Sequence, residues 1–476
     1  MSIAAHRPEY DAMAGSWDLV HDLLGGTRAM REAGSKWLPR EDSEGRKAFD
    51  VRLSRSILFG MLKDTIAKVT ARPFAKPLTI RAEEEVRSND SLWFLSEMLD
   101  DADGEGNDLG LVARDIFRIA ATYGIVHVLV DYPDTSDIED RAAEESERPR
   151  PVIIPVSPVN LIYWDSEVGP NGRTELTEIR IEDWYYRASD NARIQRVKVW
   201  KRDAWELHER IEGSDEWTVT TGEHTFGSIP LITGYFNRSG FMTAEPPFED
   251  LAWLNVAHWQ SYSDQRNILR FARTGVWFLR GVSPRDLDEN PLVIGANSVY
   301  AAPSGEATLE VVEHSGAAIE QGRKDLEDLE QRAEVLGLQP FVMRSGGQTA
   351  TGKAIDESRS QTDAMAWARA TENILEECIH AALKWKGLEP EALPDGFGVD
   401  VFSDYGLAGE RLQAAQLILQ ASLAHRIDRR TMLEEFKRLN VLSDLVDIDD
   451  VIERSEADTE SEDRAILERM RTPFVG

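Results

Sequence analysis

The chain has 476 residues, with 54 Lys plus Arg against 85 Asp plus Glu and a formal net charge of −31. At about 100–200 residues per domain, this length predicts roughly two to four structural units. The single cysteine, Cys378, excludes an intrachain disulfide framework and favours synthesis in a reducing compartment. The acidic balance argues against a protein that grips nucleic acid by neutralising phosphates. We expect no signal peptide and no membrane span, since no run of about 18 apolar residues occurs.

The first quarter of the chain, residues 1–123, is predicted to be mainly helical. Between the first two helical segments, residues 33–47 (AGSKWLPREDSEGRK) combine turn residues with mixed charge and are interpreted as an exposed loop. Apolar residues recur with a helical period in the segments 10–24, 54–69, 92–99 and 109–123.

Residues 124–235 carry a β pattern. The run IVHVLVDYP from Ile125 to Pro133 predicts a buried strand, and the charged residues 134–150 that follow predict a solvated loop. Alternating apolar and polar residues then predict an antiparallel sheet of about four or five strands up to Gly234. Five tryptophans of this region are interpreted as sheet-face packing; they are Trp164, Trp184, Trp200, Trp205 and Trp217.

Two helices around a small β module are predicted next. Pro246 and Pro247 open a helix to about Thr274, whose middle, QSYSDQRN, is polar on every side. Such a helix is expected to face solvent, a cavity or a partner chain. A short β-and-turn module and a second helix, 317–336, follow, so the sequence predicts a helical hairpin with a β tip.

The last part of the chain is predicted to be helical. A Gly-rich loop precedes a long helical pattern, Lys353–Trp385, and residues 408–442 are helical again. Between Asp444 and Asp463 ten of twenty residues are acidic, which indicates a solvated tail or an outward-facing helix.

The string Gly347–Lys353 fits the GxxxxGK pattern of a phosphate-binding loop. Ala354, however, occupies the position where a true site has the Ser or Thr that holds Mg²⁺, and no core strand is predicted before the loop. A mobile glycine loop is therefore the favoured interpretation. A P-loop-like ATPase stays open as an alternative function.

Other catalytic or metal-binding signatures are weak. The nine histidines lack HxH or HExxH spacing, and His127 is interpreted as a core or interface residue. Cys378 lies on the packing stripe of the long helix and is interpreted as a small apolar filler. We therefore expect no cofactor, no metal site, no catalytic residue and no enzymatic activity.

The order of these elements resembles the portal proteins of tailed bacteriophages, over nearly the whole chain. No single motif is specific; the colinear set carries the resemblance. It comprises HRPEY…WDLVHDLLGG…AGSKWLPR, EDLAWLNVAHWQSYSDQRNILRFARTGVWFLRG, SGGQTATGKAIDESRSQTDAMAWARATENILEECIHAALKW and FSDYGLAGERLQAAQLILQASLAHRIDRRTMLEEFKRLNVL.

The resemblance implies an α+β, mainly helical fold of the portal type. Its parts would be a wing at 1–245 (helical 1–123, β-rich 124–235), stem helices at 246–275 and 316–338, a clip at 276–315, a segment 339–404 with tunnel loop, long helix and wing return strand, and a helical crown with an acidic segment at 405–476.

The resemblance also implies the function. A ring of usually twelve copies would occupy one capsid vertex of the virion, and double-stranded DNA would pass through it during packaging and ejection. The terminase large subunit, a head-tail adaptor, and the major capsid and scaffolding proteins would be its partners. Another ring-forming virion protein or a scaffold remains an alternative.

Two sets of residues would then face the DNA channel. The tunnel-loop set is Arg344, Ser345, Gly346, Gly347 and Gln348. The stem-helix set, facing the channel or a neighbouring subunit, is Gln260, Ser263, Asp264 and Asn267. The net charge fits this role, because a passage in which DNA slides is expected to avoid ion pairs with phosphates.

Overall fold

A computed structural model of the chain consists of two compact units, Met1–Phe402 and Ser403–Gly476. The residues that the structure describes are 2–133, 148–170, 172–274, 276–283, 285, 308–312, 316–341, 362–403, 408–424, 426–438, 441–442, 446, 448 and 451–452.

The first unit combines helices with antiparallel sheets, so the α+β class is confirmed. Its helices are α1 Pro8–Leu24, α2 Gly26–Ala33, α3 Arg46–Arg55, α4 Met61–Ala71, α5 Glu83–Ser88, α6 Trp93–Asp100, α7 Leu109–Tyr123, α8 Glu249–Thr274, α9 Gly316–Leu338 and α10 Asp363–Trp385. Its strands are β1 Thr79–Arg81, β2 Ile125–Asp131, β3 Val152–Val156, β4 Leu161–Val168, β5 Thr174–Tyr186, β6 Arg193–Lys201, β7 Ala204–Ile211, β8 Thr218–Glu223, β9 Leu231–Tyr235, β10 Arg238–Gly240, β11 Thr243–Ala244, β12 Val276–Arg280, β13 Thr308–Val312 and β14 Gly398–Asp400.

The predicted sheet region divides into two sheets. Strands β4 to β8 form a five-stranded antiparallel meander in chain order, and with β3 and β9 the predicted region contains seven strands, more than the four or five expected. Strand β3 instead pairs with β2, whose other edge pairs with β9. Strand β2 is buried along its length up to Val130, as its unbroken apolar run predicts.

The turn between α7 and β2 requires a glycine. Gly124 has φ of 81°, and a Cβ at this position would lie 2.1 Å from the carbonyl oxygen of Glu245. Only glycine combines this left-handed backbone with so close an approach of another chain segment. The Gly124 N–H also caps α7 by donating to the carbonyl of Ala120, at 2.8 Å.

Three clusters of apolar side chains form the core of the first unit. One lies among α6, α7, β2 and α10, with Phe94, Ile116 and Leu375 fully buried. A second joins α1, α4 and α8, and a third joins β2 to the five-stranded sheet through residues such as Trp164 and Trp200. The interpretation of those two tryptophans as packing residues is confirmed, because they are 3% and 2% exposed.

Two predictions in the helical region differ from the structure. The segment 54–69 was expected as one helix, but the chain is extended between Ser56 and Gly60 and separates α3 from α4. The loop 33–47 is only partly exposed, because Leu38 is 1% exposed and packs in the second apolar cluster. Leu38 is one apolar residue in a polar stretch, and periodicity does not detect such an anchor.

Among the described residues of the second unit are two helices that contact each other, α11 Ala408–Leu423 and α12 Arg429–Arg438. The predicted helical stretch 408–442 is therefore interrupted. Asp428 begins α12 as its N-cap, and its carboxylate accepts the backbone N–H of Thr431 at 2.7 Å. Most of the acidic segment 444–463 lies outside the described residues.

Candidate functional site

The helical hairpin predicted from the sequence is present. Helices α8 and α9 pack together and run in opposite directions, since Gln265 contacts Ile319 while His258, earlier in α8, contacts Glu330, later in α9. Between them, β12 and β13 pair antiparallel over five residues each. The observed α9 coincides with the predicted stem range 316–338, whereas α8 begins three residues after the predicted start of 246.

Helix α8 is held on several sides by the rest of the first unit. It packs against α1, α3, α4 and α9. Leu251, Ala252 and Trp259 are each at most 1% exposed. At its start the hydroxyl of Ser16 donates to the Glu249 carboxylate, 2.7 Å away, and this acidic first turn suits the helix N-terminus.

A buried amide fixes α8 to the chain ahead of α4. Asn255 is fully buried; its Oδ1 accepts the N–H of Leu62 at 3.1 Å, and its Nδ2 donates to the carbonyl of Phe59 at 2.7 Å. The pair of bonds satisfies one of the orphan N–H groups in the first turn of α4. This anchor was not predicted from the sequence. The feature that indicates it is a polar residue inside an otherwise apolar stripe.

The four predicted stem-helix positions differ in their surroundings. The Gln260 amide donates to the carbonyl of Trp37 at 2.6 Å, so it is engaged within the chain. Ser263 is 4% exposed, Asn267 is half-buried, and both line a cleft next to α3. Asp264 is the exposed member, with an ion pair to Arg52 at 3.3 Å. A role for these four residues at a channel stays a prediction.

The carboxyl group of Asp264 has a raised pKa. Its partial desolvation beside α3 is the main cause; repulsion from Glu41 and Glu44 adds to it, and the Arg52 guanidinium opposes it. The same guanidinium lowers the pKa of Glu44 by donating hydrogen bonds to it, at 2.8 and 2.9 Å. Arg52 therefore joins α3, the preceding loop and α8.

Helix α9 has the opposite character. It buries one narrow stripe, with Leu326 and Ala333 at its centre, and its remaining faces are exposed. Gly322 allows α9 to approach α8, because a Cβ there would lie 2.2 Å from the Gln265 Oε1. The amide of Gln265 donates to the carbonyl of Ile319 at 2.8 Å and so joins the two helices.

The exposed surface of α9 is acidic. Glu320, Glu327 and Glu334 recur every seven residues, so they lie on one face of the helix. Arg323 pairs with Glu320 and Glu327, and this contact lowers the pKa of Glu320. Lys324 is a second cation near Glu320. Two cations thus accompany three carboxylates, and this face keeps a negative charge.

The long helix α10 is described from Asp363, which follows the N-cap Thr362. Trp367 stacks on Phe236 with an interplanar angle of 3°, and its indole N–H donates to the Phe236 carbonyl. Cys378 is fully buried, and burial raises the pKa of its thiol, as expected of an apolar filler. The predicted beginning of this helix, residues 353–361, lies outside the described residues.

The predicted tunnel loop cannot be placed relative to these helices. Arg344, Ser345, Gly346, Gly347 and Gln348 lie outside the described residues, as does the rest of the Gly347–Lys353 string. Their predicted roles at the channel, or in the alternative nucleotide site, stay predictions.

His127 is a core residue, as interpreted from the sequence. It is 2% exposed, its Nδ1 lies 2.9 Å from the Thr233 hydroxyl, and burial lowers its pKa to about 3. Across the described ranges, no group of three or more His, Cys, Asp or Glu side chains has metal-binding geometry. In those same ranges none of the helices has the length and apolar character that a membrane span requires.

A family model called "Domain of unknown function (DUF4055)" matches residues 247–386, which include α8, α9 and α10. No curated protein matches the chain.

Solved structures of gene transfer agent (GTA) particles are similar to the chain at low identity. The neck of an empty GTA particle, computed with C6 symmetry, is 11% identical over 85% of this chain and 96% of that chain, with a TM-score of 0.44. The virion of a native GTA particle is 10% identical over 88% and 99% of the two chains, with a TM-score of 0.41. The neck of a native GTA particle, computed with C12 symmetry, is 12% identical over 85% and 97%, with a TM-score of 0.39.

Proposed function

We propose that this chain is a structural subunit of the head–tail junction of a phage-like particle, and specifically a portal-type subunit. Copies of it would form a ring, of about twelve, at one vertex of the capsid in the virion. Double-stranded DNA would pass through the ring. Its role is mechanical and structural, not catalytic.

The helix pair α8 and α9 with its β12–β13 hairpin is the observation that carries the proposal. One helix is anchored in the body of the first unit, whereas the other lies on it and exposes most of its surface. Helix α9 has 23 residues and spans about 35 Å, yet it buries only a narrow stripe. The contacts of that stripe within one copy do not explain a helix of this length. Polar, exposed helices of this kind suit a wet channel or a contact with another subunit.

The charge of the chain supports passage of DNA, not tight binding. The net charge is −31, with 85 Asp plus Glu against 54 Lys plus Arg. A wall of this charge repels phosphates, so DNA meets no ion pairs that would hold it in place. The DNA-packaging motor, a head-tail adaptor, and capsid and scaffolding proteins are the partners that this function requires.

Imaging and mass measurement of the purified full chain test the proposal. We expect negative-stain images of rings with a central hole, and mass photometry with a species near twelve times 53.6 kDa. Samples should be compared in about 0.05 and 0.5 M salt, because salt weakens both the repulsion between like-charged subunits and the attraction of ion pairs at their contacts. A species that stays monomeric over the whole range of salt and protein concentration would contradict ring formation.

The nucleotide-binding alternative is tested separately. The Gly347–Lys353 string is its basis, and Ala354 lacks the hydroxyl that would hold Mg²⁺. We expect millimolar MgATP to leave the melting temperature unchanged and to yield no phosphate. A melting shift that is lost in Lys353→Ala would favour the ATPase over the structural function.

A further inference from the structure

A cleft of about 490 Å³ lies between α3 and α8, and arginines dominate its wall. Its lining residues are Arg52, Arg55, Ser56, Ser263, Arg266, Asn267, Leu269 and Arg270. Ser263, Arg266 and Arg270 stand at positions i, i+3 and i+7 of α8 and share one face of that helix. Four guanidinium groups surround this cleft in a chain whose net charge is −31, and one of them, that of Arg52, is paired with Glu44 and Asp264.

Two features of the cleft make it suitable for binding an anionic group. Arg55 and Arg266 are exposed and have no ion pair in the part of the chain that the structure describes. The Ser263 hydroxyl is buried and has no hydrogen-bond partner there. A buried hydroxyl without a partner costs about 1–3 kcal/mol, so a group that binds it would gain affinity. Guanidinium and hydroxyl donors together suit the oxygens of a carboxylate or a phosphate.

The chain itself carries the complementary surface. Glu320, Glu327 and Glu334 form the acidic face of α9 described above, and Arg323 pairs with two of them. This face cannot be the ligand within one copy, because α9 packs on the side of α8 that carries His258 and Gln265. At about 100° per residue, that side is more than 90° away from the face of Ser263, Arg266 and Arg270.

We propose that the arginine cleft of one copy binds the acidic face of α9 of a second copy. This inference rests on the proposed ring function and names its interface. The two surfaces differ, so the contact is head-to-tail, and repeated contacts of this kind form a ring when the rotation between copies closes. The local attraction between guanidinium and carboxylate groups also offsets the repulsion between copies that each carry a large negative charge.

Two full-length variants break the contact from opposite sides. Arg55→Glu with Arg266→Glu reverses the charge of the cleft and leaves α9 intact. Glu327→Arg with Glu334→Arg reverses the acidic face and leaves the cleft intact. All four side chains are exposed, so both variants are expected to fold. Arg187→Glu with Arg193→Glu, in and beside the five-stranded sheet, is the control for the cleft variant and has the same change in net charge.

The assembly state of each variant is measured by sedimentation velocity at about 0.1 M salt. We expect each interface variant alone to be monomeric and the control to assemble like the wild type. An equimolar mixture of the two interface variants has one intact cleft and one intact acidic face per pair, so it is expected to form dimers. The reversed cleft and the reversed face also have opposite charges, so these dimers can extend into larger species. The dimer fraction should fall at least tenfold in 0.5 M salt.

The outcomes separate this inference from the proposed function. Rings formed by the cleft variant as readily as by the wild type would overturn the interface and leave the ring function standing. A wild type without rings would contradict the ring function, while dimers in the mixture would still support the interface. A mixture without dimers overturns the interface. Loss of duplex-DNA binding, measured by fluorescence anisotropy, in a cleft variant that still assembles would show that a phosphate occupies the cleft instead.

Discussion

Helices α8 and α9 have similar lengths, pack on one another and carry many polar residues, yet they have different roles. Two polar side chains of α8 form hydrogen bonds with other elements of the same chain: Asn255 bonds to the start of α4 and Gln260 to the loop after α2. The polar side chains of α9 point away from the protein, except along one narrow stripe. Polarity alone therefore does not distinguish an anchored helix from an exposed one. What distinguishes them is whether polar side chains bond to distant parts of the chain, as those of Asn255 and Gln260 in α8 do.

The first way to test this comparison is a matched pair of leucine truncations. Leu251 in α8 is 1% exposed, and Leu338 in α9 is 46% exposed. We expect Leu251→Ala to lower the free energy of unfolding by about 2–5 kcal/mol, because it leaves a cavity in the core. Leu338→Ala should change it by less than about 1 kcal/mol. Denaturant titration checks both, and equal losses would show that α9 is as deeply anchored as α8.

A second test removes the buried amide. Asn255→Ala leaves the N–H of Leu62 without its partner, whereas the carbonyl of the exposed Phe59 can be rehydrated. We expect a loss of about 1–3 kcal/mol in the free energy of unfolding. Gln331→Ala on the exposed surface of α9 is the control and should have no measurable effect. A stable Asn255→Ala variant would mean that this amide does not hold α8 in place.

The smallest expected effect concerns the contact between the two helices. In Gly322→Ala the new methyl group displaces the Gln265 amide and breaks its bond to the Ile319 carbonyl. The lost bond costs about 0.5–1.5 kcal/mol, and the higher helix propensity of alanine offsets up to about 1 kcal/mol of it.

The control for Gly322→Ala is Gly316→Ala, whose Cβ would meet no atom within 4 Å. We expect Gly322→Ala to have the lower denaturation midpoint of the two. The reverse order would mean that the two helices do not depend on this close approach.

The sequence predicts those elements whose burial follows one period. Strand β2, the antiparallel sheet region and the range of α9 were predicted closely, because an apolar run, strict alternation and a 3.6-residue stripe each indicate one structure. The extended chain at Ser56–Gly60 was not, since apolar residues on both sides of it keep a helical period by chance.

The arginine cleft was also missed from the sequence. Arg52 and Arg55 lie more than two hundred residues before Arg266 and Arg270, and only the packing of α3 on α8 brings them together. No local sequence pattern indicates that these residues lie close together in the fold. In a chain with an excess of acidic residues, a single arginine is interpreted as an ordinary solvated charge. The structure shows that four arginines line one cleft.

The two hydrogen bonds of Asn255 have a mechanical consequence. They tie α8 to Phe59, in the short extended segment that joins α3 to α4, and to Leu62 at the start of α4; α3 supplies Arg52 and Arg55 to the cleft. A turn of α8 about its axis would have to break both bonds or carry that segment with it. A rotation of α8 would therefore also move the segment next to α3 and change the distances between the guanidinium groups of the cleft.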